Sequence, residues 1–378
     1  MSIEAVGAGH AEPHHGDHFR MRPFPFPAPT KDCQSTLSNI GETAMRDFPR
    51  ATLRTGAAVA AAATLTGTAF TGTGLAGPAS TGTLNAPAWC KPGGTLSART
   101  MPQRVRIADC DLRGRAVRGA NGLTAVVPSD GTSLVAHALR TDGGAELRIR
   151  VDERAGLITL DTRGGRAPHG RPRGFRAPAA ACADGTHRAE PSKWRKGSAV
   201  QWHYYAGAAG LSRAPIAAGV SNMANARTDC NGGRFSPLPD VGENYAGQAN
   251  RPPNVTGAAA CGKRDRVNTF GWLSMQGADN DVLAATCTWY LGSATVETDM
   301  ALQVRGKKWW TGGTCPAGAY SAEAVATHEA GHVFGLAHVE GIEHENLTMA
   351  PALASCDRGP ATLGRGDYNG LIALYGGR

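Results

Sequence analysis

Between residues 101 and 162 the apolar positions come in short runs, VRIADC, LTAVVP, LVAHAL, AELRIRV and LITLDT, cut by Gly, Asp and Asn. Runs of this length between turn formers predict strands, and together they predict a small β-rich unit. Beyond residue 182 the texture changes. Residues 201–206 (QWHYYA) read as a strand, and Pro215 then opens a helical pattern with Ile216, Val220 and Met223 on one face. Three more strand-like runs follow at 267–275, 282–290 and 295–304. A loop with Trp309, Trp310, Gly312 and Gly313 leads to a helical run over 321–334, and a last helix covers 366–375. The order β-α-β-β-β-α-loop-α fits one α+β domain over 182–378.

The two regions are separated by residues 163–181, which hold five Arg among Pro, Gly and Ala and almost no large apolar groups. Such a stretch cannot bury enough surface to order itself, so it reads as a linker open to proteolytic nicking. The front of the chain carries a different signal. Residues 56–70 (GAAVAAAATLTGTAF) are apolar but too short and too rich in Gly and Thr to span a bilayer. Arg46, Arg50 and Arg54 precede them and small residues follow, the layout of a secretory signal peptide starting at Met45. The expected organisation is therefore a leader or over-extended N-terminus at 1–44, a signal region at 45–88, a β-rich N-terminal or pro region at 89–162, the linker at 163–181 and the main domain at 182–378.

Cysteine parity points the same way. Of nine cysteines only Cys33 precedes the signal region, so processing leaves eight, an even set suited to an oxidising compartment. Cys90 is expected to pair with Cys110, with the other six paired inside the C-terminal part in an order that spacing does not fix. No C-x-x-C occurs, which argues against a zinc ribbon or thioredoxin-like site. The chain is expected to be secreted and extracellular.

Charge narrows the partners. The chain has 39 Lys+Arg against 31 Asp+Glu, a net +8, and only 7 of the basic residues are Lys. From residue 190 onward 16 basic and 16 acidic residues balance, so the whole excess lies before it. A uniformly basic nucleic-acid binder is a poor description, and neither a specific nucleic acid nor a membrane span is expected. The chain is read as a monomer.

The decisive segment is Ala326-Thr-His328-Glu329-Ala-Gly-His332-Val-Phe-Gly335-Leu-Ala-His338. Residues four apart share a helix face, so His328 and His332 can converge on one metal ion. Glu329 is placed as a base for water on the metal's open side, not as a ligand. Gly335 can take positive φ, stop the helix and turn the chain so that His338 returns as a third ligand. Three nitrogen donors with a fourth position left for water describe a catalytic rather than a structural zinc site. Chance would produce this eleven-residue pattern about once in 10,000 such sequences.

The string resembles the metzincin zinc endopeptidases, which carry a methionine turn after the third histidine. Met349, within Asn346-Leu-Thr-Met349-Ala-Pro351, looks like that turn. The resemblance implies a packed support beneath the ligands, not a ligand. Within the metzincins the likeness is to matrixin-type enzymes, particularly their secreted bacterial relatives. It is carried also by 286–290 (TCTWY), 296–299 (VETD), 309–311 (WWT), 363–367 (LGRGD) and 370–375 (GLIALY), and covers about residues 182–378. It implies a twisted mixed sheet with a zinc-binding active-site helix and a C-terminal helix, one catalytic Zn²⁺, and protein or peptide substrates. Ca²⁺ is compatible with the resemblance but has no assigned site. Some family features are missing. There is no Pro-Arg-Cys-Gly cysteine switch before the catalytic part and, within that part, no His-Gly-Asp cluster for a second zinc. Pro351 stands where some members offer a tyrosine, and Val339 replaces the usual polar residue after the third histidine.

Other histidines read as bystanders: His344 as a loop residue, His203 as a packed or surface residue on a strand. Gly257–Lys263 nearly makes a phosphate loop, but Arg264 replaces the Ser or Thr that would hold Mg²⁺. The sequence thus points to a secreted zinc endopeptidase using Glu329 as general base. The competing readings are a catalytically silent zinc-bearing extracellular module, and an accessory polyanion-binding role for the Arg-rich front half.

Overall fold

The computed structural model describes residues 86–165, 180–207 and 210–378. The expected leader at 1–44, residues 45–85 of the signal region, Cys33 and residues 166–179 of the linker lie outside the described residues. Strands β1 (Leu96–Ser97), β2 (Arg104–Arg106), β3 (Ala116–Arg118), β4 (Thr124–Val126), β5 (Ser133–Arg140), β6 (Ala145–Asp152) and β7 (Leu157–Gly164) precede the linker. After it come β8 (Ala199–Tyr205), helix α1 (Ala214–Ala224), β9 (Gly242–Gln248), β10 (Thr269–Leu273), β11 (Val282–Leu291) and β12 (Ala294–Gln303). Then follow β13 (Lys308–Trp310), β14 (Ala319–Ser321), α2 (Ala322–Val333) and α3 (Arg365–Tyr375). Mixed sheets with three helices among the described residues make this an α+β architecture.

The principal sheet has nine strands in the order β2-β7-β6-β5-β11-β12-β10-β8-β9. Strands β9, β8, β10 and β12 run parallel, whereas β11 is antiparallel to β12. On its other edge β11 pairs antiparallel with β5, from Tyr290↔Ser133 to Val282↔Arg140. Strands β2, β5, β6 and β7 thus belong to a shared sheet, while β3 and β4 pair with β1 in a small three-stranded sheet. The reason is visible in β5, where all eight residues of SLVAHALR are buried. A nearly unbroken apolar run suits a strand covered on both faces, whereas the edge of a small solvated sheet would alternate. Strand β9 escapes sequence reading because GENYAGQ neither alternates nor buries a side chain; it is the exposed sheet edge.

Each face of the sheet has its own core. On the helix side Trp202, Phe270 and Met300 pack with Ile216, Val220 and Met223 of α1 and with Val325, Ala326 and Val333 of α2. On the opposite side Leu134, Ala136, Leu147 and Ile149 share a cluster with Cys287 and Trp289. Four disulfides, Cys90–Cys110, Cys182–Cys230, Cys261–Cys287 and Cys315–Cys356, use all eight described cysteines. Each lies wholly on one side of the linker.

Helix α1 crosses α2 at Gly219, where backbones meet. A Cβ there would stand 2.5 Å from both the Ala326 carbonyl carbon and the Thr327 nitrogen. Helix backbone cannot yield as a side-chain tip can, so Gly219→Ala should destabilise by roughly 1–3 kcal/mol. Thermal unfolding checks this; an unchanged Tm would show that α1 and α2 are not locked together at this point.

Candidate metal centre and active site

Helix α2 is fixed at its start by Ser321, whose hydroxyl accepts from Ala324 N at 3.2 Å, and by Glu323 in the first turn. It ends at Gly335, which takes φ +88°, with Leu336 N bonding back to Gly331 O at 2.8 Å. The chain then reverses, so that His338 returns to the helix face holding His328 and His332. All three rings are almost completely buried.

The outer ring nitrogens meet backbone carbonyls: His328 Nδ1 lies 2.7 Å from Thr348 O, and His332 Nδ1 lies 2.8 Å from Leu336 O. A carbonyl only accepts, so each Nδ1 carries the proton and each Nε2 presents a lone pair inward. His338 Nε2 stands 3.1 Å from both of those Nε2 atoms. Tetrahedral nitrogen donors at about 2.0–2.1 Å from one ion would be about 3.3 Å apart, so these two separations match those of a zinc donor set. Burial lowers His328 to about 4 and drives His332 and His338 well below the usual histidine range. At neutral pH the three are uncharged donors.

Glu329 follows His328 on α2 and is fully buried. Thr286 Oγ1 on β11 donates to its Oε2 at 2.5 Å, while Oε1 is buried without a hydrogen bond. Burial pushes this carboxyl up to about 7, against the opposing bond from Thr286. A buried carboxylate with one oxygen anchored and one free can hold and release a proton near neutrality.

Met349 is buried under the helix. A Cβ at Gly331 would lie 2.1 Å from its Sδ, so glycine at this position is what admits the methionine. The turn is held from α3 by Asp367, which accepts from Thr348 N at 2.9 Å, Met349 N at 3.0 Å and Gly364 N at 2.9 Å.

Of the residues singled out from the sequence, His328 and His332 each bring Nε2 to His338 Nε2, Glu329 bonds Thr286, Gly335 makes the turn after α2 and Met349 is buried under the helix. His344 does not join them; its Nδ1 lies 2.7 Å from Asp184 Oδ2. Sequence reading missed His137 of β5, whose ring stacks on His332 with centroids 3.7 Å apart and planes 7° apart. His137, His332 and His338 also form a group whose ligand atoms lie within 4.8 Å of one another. The only hint was a lone histidine in the apolar run LVAHAL, more often a packed residue than a functional one.

Residues 274–376 match the family model of the matrixins (Matrixin), which supports a zinc metallopeptidase in general. The matched segment runs from β11 to α3 and includes the three histidines and Glu329; residues 182–273 lie outside it. No curated protein matches the chain.

Replacing Gly331 by Ala should push Met349 out of its seat. The expected loss is roughly 1–3 kcal/mol of stability, by analogy with other overpacked cores, together with weaker zinc retention. Thermal unfolding with a competitive chelator titration reads both; unchanged zinc retention would show that Met349 does not support the ligands.

Proposed function

We propose that the chain is a secreted zinc-dependent endopeptidase acting on protein or peptide substrates, with residues 182–378 as its catalytic part. The observation that carries this reading is the joint placement of three inward-facing, neutral imidazoles and one half-anchored carboxylate. His328, His332 and His338 would hold the ion. Zinc supplies Lewis acidity there, polarising a peptide carbonyl and acidifying water.

The chain's own residues do the rest. Thr286 fixes Oε2 of Glu329 and leaves Oε1 as the proton-handling atom. Oε1 takes the proton of the attacking water and later passes it to the departing amine. Its raised proton affinity suits both steps, because a carboxylate held at the usual acidic value would be a poor donor to the amine. The Thr348 and Leu336 carbonyls keep the His328 and His332 rings from rotating, so the donor set is organised before substrate arrives. Met349 and Asp367 hold the floor of the site.

Secretion is supported by the four disulfides. Among the described residues no helix is long and apolar enough to cross a membrane.

Glu329→Gln should keep stoichiometric zinc yet lower casein hydrolysis by at least a hundredfold, the scale of a lost general base. His338→Ala should lose zinc as well. Hydrolysis by the Gln variant at the wild-type rate would remove Glu329 from the chemistry, and chelator-resistant hydrolysis would remove the metal.

A further inference from the structure

β11 is the strand that reaches the site: Thr286, bonded to Glu329, lies at its centre. One edge of β11 is taken by β12, so an extended peptide approaching Glu329 could pair only with the other edge. Strand β5 already occupies that edge. Resting on the peptidase reading, we propose that Ser133–Arg140 is a built-in occupant of the substrate groove, that His137 plugs the space beside the metal ligands, and that the chain is latent until this segment leaves.

Four observations support this. The first is that β5 is bonded by both banks of the groove. It pairs antiparallel with β11, and at its end Leu353 N bonds Arg140 O at 3.2 Å, with Arg140 and Ala352 in a parallel bridge. Residues 352–353 follow Met349, so β5 passes between β11 and the chain leaving the methionine turn.

The second is register. His137 stands opposite Thr286, which sets its ring face to face with His332 and edge-on to His338, centroids 5.2 Å apart. Beside the ring lies Glu190, whose Oε1 is at ion-pair distance, 2.9 Å from His137 Nε2, without hydrogen-bond geometry. Glu190 itself comes from beyond the linker, where its N–H bonds Gly335 O at 2.8 Å, and Arg148 of β6 reaches its Oε2 at 3.1 Å. The plug and its brace come from opposite sides of the linker.

The third is close approach. Two residues further along the strand, Leu139 shares an apolar cluster with Met349 and Leu353. In the turn that follows, a Cβ at Gly144 would stand 2.6 Å from His338 Cε1 and 2.8 Å from Pro351 Cβ. Only glycine lets the β5–β6 turn press so near the ligand.

The fourth is covalent. The Cys90–Cys110 disulfide stays within 86–165 and the other three stay within 180–378. One cut between residues 165 and 180 therefore frees β5 from every covalent tie to the site. The strand is nevertheless well packed, since Leu134, Ala136 and Ala138 share a core with Cys287 and Trp289. Latency of this kind would be stable rather than leaky.

The test uses the full chain, carrying a specific protease sequence in place of residues 170–173 and loaded with Co²⁺. Acetohydroxamate, a small metal-binding probe, is titrated by visible absorption before and after the cut, and hydrolysis of a quenched peptide is followed in parallel. The uncut chain should bind the probe at least tenfold more weakly than the cut chain after size-exclusion separation. His137→Ala in the uncut chain should raise probe affinity part of the way. Amides of 133–140 should resist hydrogen exchange in the uncut chain. Equal probe affinity before and after cutting, or cut pieces that stay together with affinity unchanged, would overturn the proposal and make β5 a permanent wall. A cut chain that gains probe affinity yet hydrolyses no peptide would uphold the occupant and sink the peptidase reading instead. A chain that takes up no cobalt would sink both.

Discussion

A backbone carbonyl can accept a hydrogen bond but never donate one, and the candidate site depends on that asymmetry. Because Thr348 O and Leu336 O lie against the outer nitrogens of His328 and His332, those nitrogens must carry protons and the inner ones must be bare. Burial reinforces the choice, since a charged imidazole would be stranded without solvent. The result is a set of neutral donors facing one another, an arrangement that a fully hydrated cluster of histidines would not keep. Without the carbonyls the rings could turn, and the same three residues would be an ordinary buried patch.

Those carbonyls are themselves placed by more distant parts of the fold. Thr348 O belongs to the turn that Asp367 grips through three backbone N–H groups, so the last helix of the chain indirectly orients the first histidine. Leu336 O depends on the reversal at Gly335. Gly331 lets the methionine turn rise against the helix, and Gly219 lets α1 lie on its other side. A narrow helix rich in Ala and Gly is therefore a requirement of the site: larger side chains would hold apart the elements that aim its ligands.

Much of this was legible in the sequence because it is local. The helix over 321–334 announced itself through its histidine spacing and its glycine stop, and Pro215, Ile216, Val220 and Met223 marked α1. The strands at 282–290 and 295–304 stood out as long runs of buried type. What the sequence did not disclose is non-local. Pairing of β5 with β11 joins residues about 150 positions apart, and register of that kind leaves no periodic trace. The clue that β5 is an interior strand was its lack of alternation, yet a short apolar run suits a small β unit just as well. His137 was invisible for the same reason, being a histidine whose meaning depends on what lies across the sheet. Asp367 looked like part of a helix start, and only the structure shows its carboxylate reaching the methionine turn. Strand β9 is polar and exposed, so nothing in its composition separates it from a loop.

The shared sheet changes how the front of the chain is understood. Strands β5, β6, β7 and β2 continue the sheet past β11, and β5 brings a fourth imidazole to the three that the motif supplies. Whether that segment stays or leaves, the metal centre is the claim on which the account stands. X-ray absorption at the zinc edge on the purified full chain tests it most directly. One zinc per chain is expected, with at least three imidazoles in a nitrogen and oxygen shell at about 2.0–2.1 Å. A sulfur shell at about 2.3 Å, or fewer than three imidazoles around the ion, would contradict it.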